Sequence, residues 1–508
     1  MKSRTENSIR NLKYAMIGQT LGIIISLFSR MIFVKFLSSE YLGLSGLFTN
    51  ILTILSLTEL GFVTAMSYQL YKPLVENDIE SLKSLMKFYK KVYLIIALSI
   101  LVLGLLTLPF YKYLINEIPN IPYLDLIYYL FVLNTAASYL FSYKRLLIIS
   151  DQKRYIATLY RYTFYFVLNV AQIFILYLTK NYILYLIIQL LMTLLENILL
   201  DRKANKLYPY LKDKNVKPLK RNVYKQIISN VKAMFFHKFG GVVLNSTDNI
   251  VISKVIGLSV VGLYSNYMLI INALKTIVTQ IFSSVIASIG NLQVTGSKSK
   301  MTDIFKKTFF ADFCIHTFSA ICLICLLNPF ISLWLGNEYI LDIFTVYMIA
   351  LNYYLFGMRK TCMSFREATG NYESDKYSPI IEAVINIGTS VVLAKFIGLP
   401  GVILGTIISC LCTNFWWEPL VITRKSLTMN LKDYFSMYFK YTITGIILCV
   451  VTVFANSLIP CGGFMLFGIR LLVTVLIPVV SLCFIYRKNE YFLYYKMVIK
   501  NKITFLNK

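Results

Sequence analysis

Two stretches of this chain decide how it folds: QTLGIIISLFSRMIFVKFLSSEYLG (Gln19–Gly43) and KFGGVVLNSTDNIVISKVIGLSVVG (Lys238–Gly262). Laid over one another at an offset of 219 residues, their polar and glycine positions coincide. Gln19 meets Lys238, Gly22 meets Gly241, and Ser26 meets Asn245. Arg30 meets Asn249, Lys35 meets Lys254, and Gly43 meets Gly262. An offset of 222 aligns Ser142, Lys144, Arg154 and Tyr155 with Ser364, Arg366, Lys376 and Tyr377. A three-residue insertion or deletion between the two regions explains the change of offset. Self-similarity of this kind predicts two copies of one structural unit.

The unit is a bundle of membrane spans. Hydrophobic residues make up 57% of the 508 residues and charged residues 15%. A helix needs about 20 apolar residues to cross the hydrocarbon. About fourteen such runs follow one another: 14–37, 42–67, 92–114, 124–147, 157–178, 182–200, 233–256, 260–290, 309–333, 342–365, 378–397, 400–423, 436–459 and 464–486. Most of the 51 lysines and arginines fall in alternate gaps between these runs. The intervening gaps are short; Ser38–Tyr41, Ile115–Asp125, Gly336–Leu341 and Pro460–Gly463 contain neither residue. The positive-inside bias then puts both termini in the cytoplasm. The net charge of +27 reflects this bias and attraction to anionic lipid, not nucleic-acid binding. The first apolar run is long enough to span, so no cleaved leader is expected.

The expected fold is an all-α integral membrane protein. About fourteen transmembrane helices form two parallel six-helix lobes plus two C-terminal helices. Residues 1–200 make an N-lobe, 201–232 a basic cytoplasmic linker, and 233–423 a C-lobe. Residues 424–508 add spans 13 and 14 and a cytoplasmic tail. Six spans per copy is an even number, so the repeats are parallel. Pro209 and Pro218 argue against one helix through the linker.

Two parallel lobes are a transporter plan, with the substrate site between repeats. Polar faces support it. Gln19, Gly22, Ser26 and Arg30 lie at helical spacing on span 1, and Lys238, Gly241, Asn245 and Asn249 repeat the pattern on span 7. Span 2 offers Ser45, Thr49, Thr53, Ser56 and Glu59. Span 8 offers Asn272, Lys275, Thr276, Thr279 and Ser283. Hydroxyls and glycines also serve helix packing, so for them two readings stand. An ion at mid-helix costs about 2.5–3.5 kcal/mol on insertion scales, so it faces a cavity or a partner. Arg30, Glu59, Asp248 and Lys275 are deep enough for this to apply. Lys35 and Lys254 lie near helix ends and line the cavity or snorkel. Glu382, Lys440 and Arg470 read as interfacial. Asp312 and His316, i and i+4 on span 9, read as a local pair.

Cations outnumber acids at these positions, which favours an anionic substrate; Arg matches phosphate oxygens in a fixed fork. The candidate substrate-binding residues are Arg30, Lys275, Lys35, Lys254, Asn249 and Asn272. Glu59 and Asp248 are candidates for carrying a coupled ion or balancing charge. The chain has no G-x-x-x-x-G-K-[ST] loop. Two histidines cannot build the usual zinc site. Cys322 and Cys325 lie inside an apolar run and read as packing residues. No cofactor and no metal are expected.

The stretch SRMIFVKFLSSEYLGLSGLFTNILTILSLTELGFVTA (Ser29–Ala65) resembles the first hairpin of the polysaccharide-biosynthesis flippases. The marks are a basic residue in span 1, F-L-S-S-E-Y-L-G at the outer turn, and E-L-G-F near the end of span 2. FREATGNYESDKY (Phe365–Tyr377), followed by Ser378–Ser409, is similar to that family's tenth-to-twelfth-span region. The family is the Wzx group of the multidrug/oligosaccharidyl-lipid/polysaccharide exporter superfamily. The resemblance implies a flippase, not an enzyme. It implies turnover of undecaprenyl-pyrophosphate-linked oligosaccharide units for capsule, O-antigen or another exported polysaccharide. Alternating access would run through a cationic cavity in a bacterial cytoplasmic membrane. Arg30 matches the family's span-1 basic position, and Lys275 matches its span-8 cationic position less closely. Asn249, opposite Arg30 in the repeat, is uncharged, which departs from a symmetric clamp. The implied partners are membrane lipids, a polysaccharide polymerase and a chain-length regulator. Two other readings are weighed. An ion-coupled multidrug or metabolite exporter of the same superfamily should have an acidic lumen. A membrane glycan polymerase should carry a long outer loop.

Overall fold

Apolar runs become helices, and polar residues fix where several of them start. The Asp78 carboxylate accepts the Ser81 N–H at 3.0 Å, Asn181 accepts from Ile183 and Leu184, and Asp342 accepts from Thr345 at 2.9 Å. Asn430 and Asp433 close a reciprocal capping box. The structure is a computed structural model. It describes residues 4–506 except 60–61, 214, 296–297, 370–376 and 461. Some helix side chains also lie outside the description, including those of Lys238, Asn245 and Ser283, and so does Lys376.

The chain divides into two units, Met1–Gly262 and Leu263–Lys508. The first holds α1 (Arg4–Phe36), α2 (Ser39–Leu55), α3 (Phe62–Glu76), α4 (Ile79–Thr107), α5 (Leu124–Tyr139), α6 (Ser142–Ser150), α7 (Arg154–Thr179), α8 (Tyr182–Leu207) and α9 (Arg221–Val255). The boundary falls within α10 (Leu258–Thr295). The second unit continues with α11 (Lys298–Trp334), α12 (Ile343–Met358), α13 (Lys360–Thr369), α14 (Ser378–Ile397), α15 (Leu399–Cys412), α16 (Asn414–Lys425), α17 (Leu431–Ser457), α18 (Gly463–Ile485) and α19 (Glu490–Leu506). The described residues contain no strand.

Among the described residues every predicted apolar run falls mainly on helix, but not every run is one unbroken rod. Among the described residues ten helices are long and apolar enough to cross a membrane, and the α5–α6 pair, bent by 41°, makes an eleventh. The run 42–67 is interrupted by a 3₁₀ turn at Ser56–Glu59 before α3. The run 342–365 breaks at Arg359. The run 233–256 falls on α9 up to Val255. Such breaks are tolerated where protein covers the freed backbone groups. The chain is therefore an all-α, multi-pass integral membrane protein.

In the first unit α1 packs along α7, and α2 packs on α9. A buried core of Met66, Leu85, Tyr89, Leu147, Ala204 and Ile227 joins α3, α4, α6, α8 and α9. In the second unit Phe305, Phe309 and Phe313 share one face of α11. They meet Tyr434, Tyr438 and Tyr441 of α17; Phe313 and Tyr441 stack at 4.6 Å. Spans 13 and 14 are thus bound to span 9 by an aromatic ladder and by α18 against α11. Between α8 and α9 the chain turns through Pro209–Lys212 and an extended stretch, as the two prolines require.

Candidate functional site

The second unit gathers charge at the break between α12 and α13. Four-residue spacing puts Asp312 and His316 on one face of α11. His316 Nδ1 is 2.7 Å from Asp312 Oδ1 and 3.1 Å from the Asp312 carbonyl oxygen. The other carboxylate oxygen accepts two bonds from Thr361, its N–H at 3.0 Å and its hydroxyl at 2.7 Å. Asp312 is fully buried and His316 nearly so. Gly357 makes the arrangement possible, because a Cβ there would lie 2.0 Å from the His316 ring. A cavity of about 110 Å³ opens beside this ring. Lys275, Thr279, Tyr353, Phe356 and Lys360 complete its wall. Lys275 Nζ lies 5.6 Å from the Phe356 ring centre, and the Arg359 guanidinium lies 5.0 Å from the same ring.

Below the break a neutral network is sealed in protein. Arg359 holds Glu418 through two parallel bonds of 3.0 Å and reaches Glu382 at 3.5 Å. Arg366 adds a contact to Glu418 at 3.5 Å. Asn414 donates to Glu382 and accepts from Ser378. Two guanidinium groups and two carboxylates balance, as buried ions must. Glu382, expected at the interface, is instead buried in this network, because α14 and α16 enclose it. The first unit carries a related knot: Lys144 with Asp201 and Asn205, and Arg145 with Glu196. Glu196 and Glu418 stand at the 222 offset of the repeat.

The candidate residues separate into two groups. Arg30 lies on α1 among Tyr165 of α7 and Tyr182 and Tyr185 of α8. Tyr182 hydrogen-bonds with Ser45 and Tyr185 with Ser29, and the two pack with Phe33 and Tyr41. Lys35 and Lys254 are exposed in the last turns of α1 and α9. Glu59 sits in the 3₁₀ turn and accepts a hydrogen bond from Tyr139. Asn249 faces α2; its amide nitrogen would lie 3.6 Å from a Cβ on Gly46. Asp248, also on α9, has a polar or electrostatic neighbour. All these belong to the first unit. Lys275 and Asn272 belong to the second, and only Lys275 reaches the cavity; Asn272 is exposed. Among the described residues no cluster of metal-ligating side chains occurs. The sequence reading did not weigh Lys360 or Arg359. Their mark was two adjacent basic residues inside an otherwise apolar run.

No family model and no curated protein matches the chain. Solved structures do. An inward-facing multidrug resistance transporter of the MATE family, in the MOP superfamily, aligns with a TM-score of 0.65 and 15% identity. That alignment covers 82% of this chain and 98% of the other. The lipid II flippase MurJ, in an inward closed conformation, aligns with a TM-score of 0.64 and 18% identity, over 93% and 99%. A MATE transporter of Vibrio cholerae, VcmN, aligns with a TM-score of 0.58 and 11% identity, over 84% and 99%. These are transporters and flippases, not enzymes. At such identities the likeness is one of fold: the chain has the fold of the MOP-superfamily transporters.

Proposed function

We propose that this protein is a flippase that carries a lipid-linked oligosaccharide across a bacterial cytoplasmic membrane. The cargo would be an undecaprenyl-pyrophosphate glycan unit, moved by alternating access. The observation that carries this reading is the cavity walled by Lys275, His316 and Lys360. It is cationic, it lies inside a membrane unit, and it has room for a phosphate-sized group. Ammonium groups in a low-dielectric setting favour an anion over a cationic drug. The polyprenyl chain would stay in lipid. A polymerase and a chain-length regulator would act downstream.

The rival reading is a multidrug exporter. It is favoured by a second cavity, about 290 Å³ and almost wholly apolar, between α11, α12, α15 and α17. Proteoliposomes separate the two. Undecaprenyl-pyrophosphate oligosaccharide would be exposed to a glycan-modifying probe by wild type, by Lys275→Ala and by empty liposomes. The flippase reading expects fast exposure with wild type and slower exposure with the variant. A wild-type rate equal to that of empty liposomes, for folded protein, would move the assignment to the exporter.

A further inference from the structure

We infer that His316 and Asp312 form a proton-linked gate on the anion cavity, so that a phosphate-type oxyanion enters it together with one proton. The inference rests on the cavity reading above and names the coupled ion.

The geometry fixes the tautomer. Nδ1 of His316 faces two oxygens, the Asp312 carboxylate at 2.7 Å and the Asp312 carbonyl at 3.1 Å. Both only accept, so Nδ1 carries the hydrogen. In the neutral ring Nε2 is then a bare lone pair, and His316 is part of the cavity wall. A lone pair opposes a phosphate oxygen. Protonation turns the same atom into a donor and makes a charge-assisted bond to the oxyanion. Thr361 holds the other carboxylate oxygen of Asp312 through two bonds.

The surrounding charges set the direction. Lys275 on α10 and Lys360 on α13 share the cavity wall with His316. Arg359 is balanced by Glu418 and Glu382. Tyr353 and Tyr354 of α12 and Cys362 of α13 are titratable neighbours of Asp312. Tyr441 of α17 and Tyr486, just past α18, pack on Phe313 of the same helix as His316. An arriving anion adds negative charge beside the ring and favours the imidazolium. By linkage, the proton must then favour the anion by the same factor, on the order of tenfold.

The chain has two histidines. A His237→Gln chain labelled with ¹⁵N-histidine therefore gives one imidazole signal. The full chain would be placed in phosphatidylcholine nanodiscs near pH ~7, where an imidazole can change charge. Inorganic pyrophosphate would be added in one arm, and undecaprenyl pyrophosphate in the bilayer in another, separating a free anion from a lipid headgroup. Anion binding would be followed by ³¹P signals, and glycolipid flipping measured on the same preparations. The expected result is a shift of His316 toward imidazolium in at least one arm, lost in Lys275→Ala/Lys360→Ala. Asp312→Asn supplies a second test. Its oxygen keeps Thr361, but the carboxylate charge that holds a proton on the ring is gone. Anion binding should persist in that variant, but without proton uptake. Anion binding with an unchanged His316 signal in the wild-type background would overturn the gate and leave the flippase reading standing. No anion binding with active flipping would overturn the cavity site as well. No binding and no flipping would overturn both.

Discussion

Gly43 and Gly262 make reciprocal contacts. A Cβ on Gly43 would lie 2.0 Å from the carbonyl oxygen of Leu258, and a Cβ on Gly262 would lie 2.1 Å from that of Ser39. Ser39 and Leu258 stand at the same 219 offset as the two glycines. The helix starts of α2 and α10 therefore meet backbone to backbone about a local two-fold relation. A side chain at either glycine would force them apart. Overpacking of this kind costs about 1–3 kcal/mol. Gly43→Ala and Gly262→Ala should each lower thermal stability in detergent by that order. The double variant should cost less than the two together, because one displacement makes room for both. Gly388→Ala is the control, since its Cβ would meet nothing within 4 Å; no loss is expected there.

Arg359 and Glu418 should be far more costly to separate than to remove together. Breaking a buried ion pair from one side costs about 3–5 kcal/mol, because the other charge is left in a low dielectric. Arg359→Met should lower the midpoint of unfolding in mixed detergent sharply. Arg359→Met/Glu418→Met should recover part of the loss. If the double variant is no better than the single, Glu382 is the principal partner instead.

The repeat was legible because it is written in residue types that bilayers restrict. Gly43 and Gly262 stand out as matching glycines, and Lys35 and Lys254 as matching cations, at the 219 offset. Breaks were not legible. Hydropathy through Ser56–Glu59 and through Arg359 is nearly continuous, and whether a helix bends there depends on neighbours that re-satisfy its backbone. The depth of Arg30 could be read from its position along span 1. Its tyrosine surroundings could not, because they come from α7 and α8, far along the chain. Asp312 and His316 announced themselves by spacing, yet the second anchor, Thr361, follows only from how α13 lies on α11.

Asp78 supplies a pH-dependent helix start. Its side chain accepts from the Ser81 hydroxyl at 2.6 Å and the Ser81 N–H at 3.0 Å. These bonds hold its carboxyl below the usual carboxylate range. The group is lowered in the folded state, so its contribution is present above the ordinary carboxylate value, ~3.9, and is lost as pH falls through the depressed one. Asp78→Ala should cost about 1 kcal/mol near neutrality, as lost caps do. Below that window wild type and variant should converge. Thermal melts across acidic pH would show it; a constant gap would mean that the carboxylate charge is not what stabilises α4.

Lys275 and Lys360 bring charge to the cavity from two different helices, α10 and α13. A hydrogen bond from a charged group contributes about 1.5–3 kcal/mol. Lys275→Ala should therefore weaken pyrophosphate binding by at least about tenfold, measured by titration calorimetry on the full chain, and Lys360→Ala by a similar factor. Lys35→Ala and Lys254→Ala should change it by less than about twofold, because exposed charges at helix ends are screened by water and salt. Raising the salt concentration sharpens the contrast, since a partly enclosed site loses less to screening than an exposed one. Equal losses at Lys254 and Lys275 would move the anion from the cavity to the helix ends. The proton gate would then have nothing to act on, since His316 touches the anion only through the space that Lys275 and Lys360 share with it.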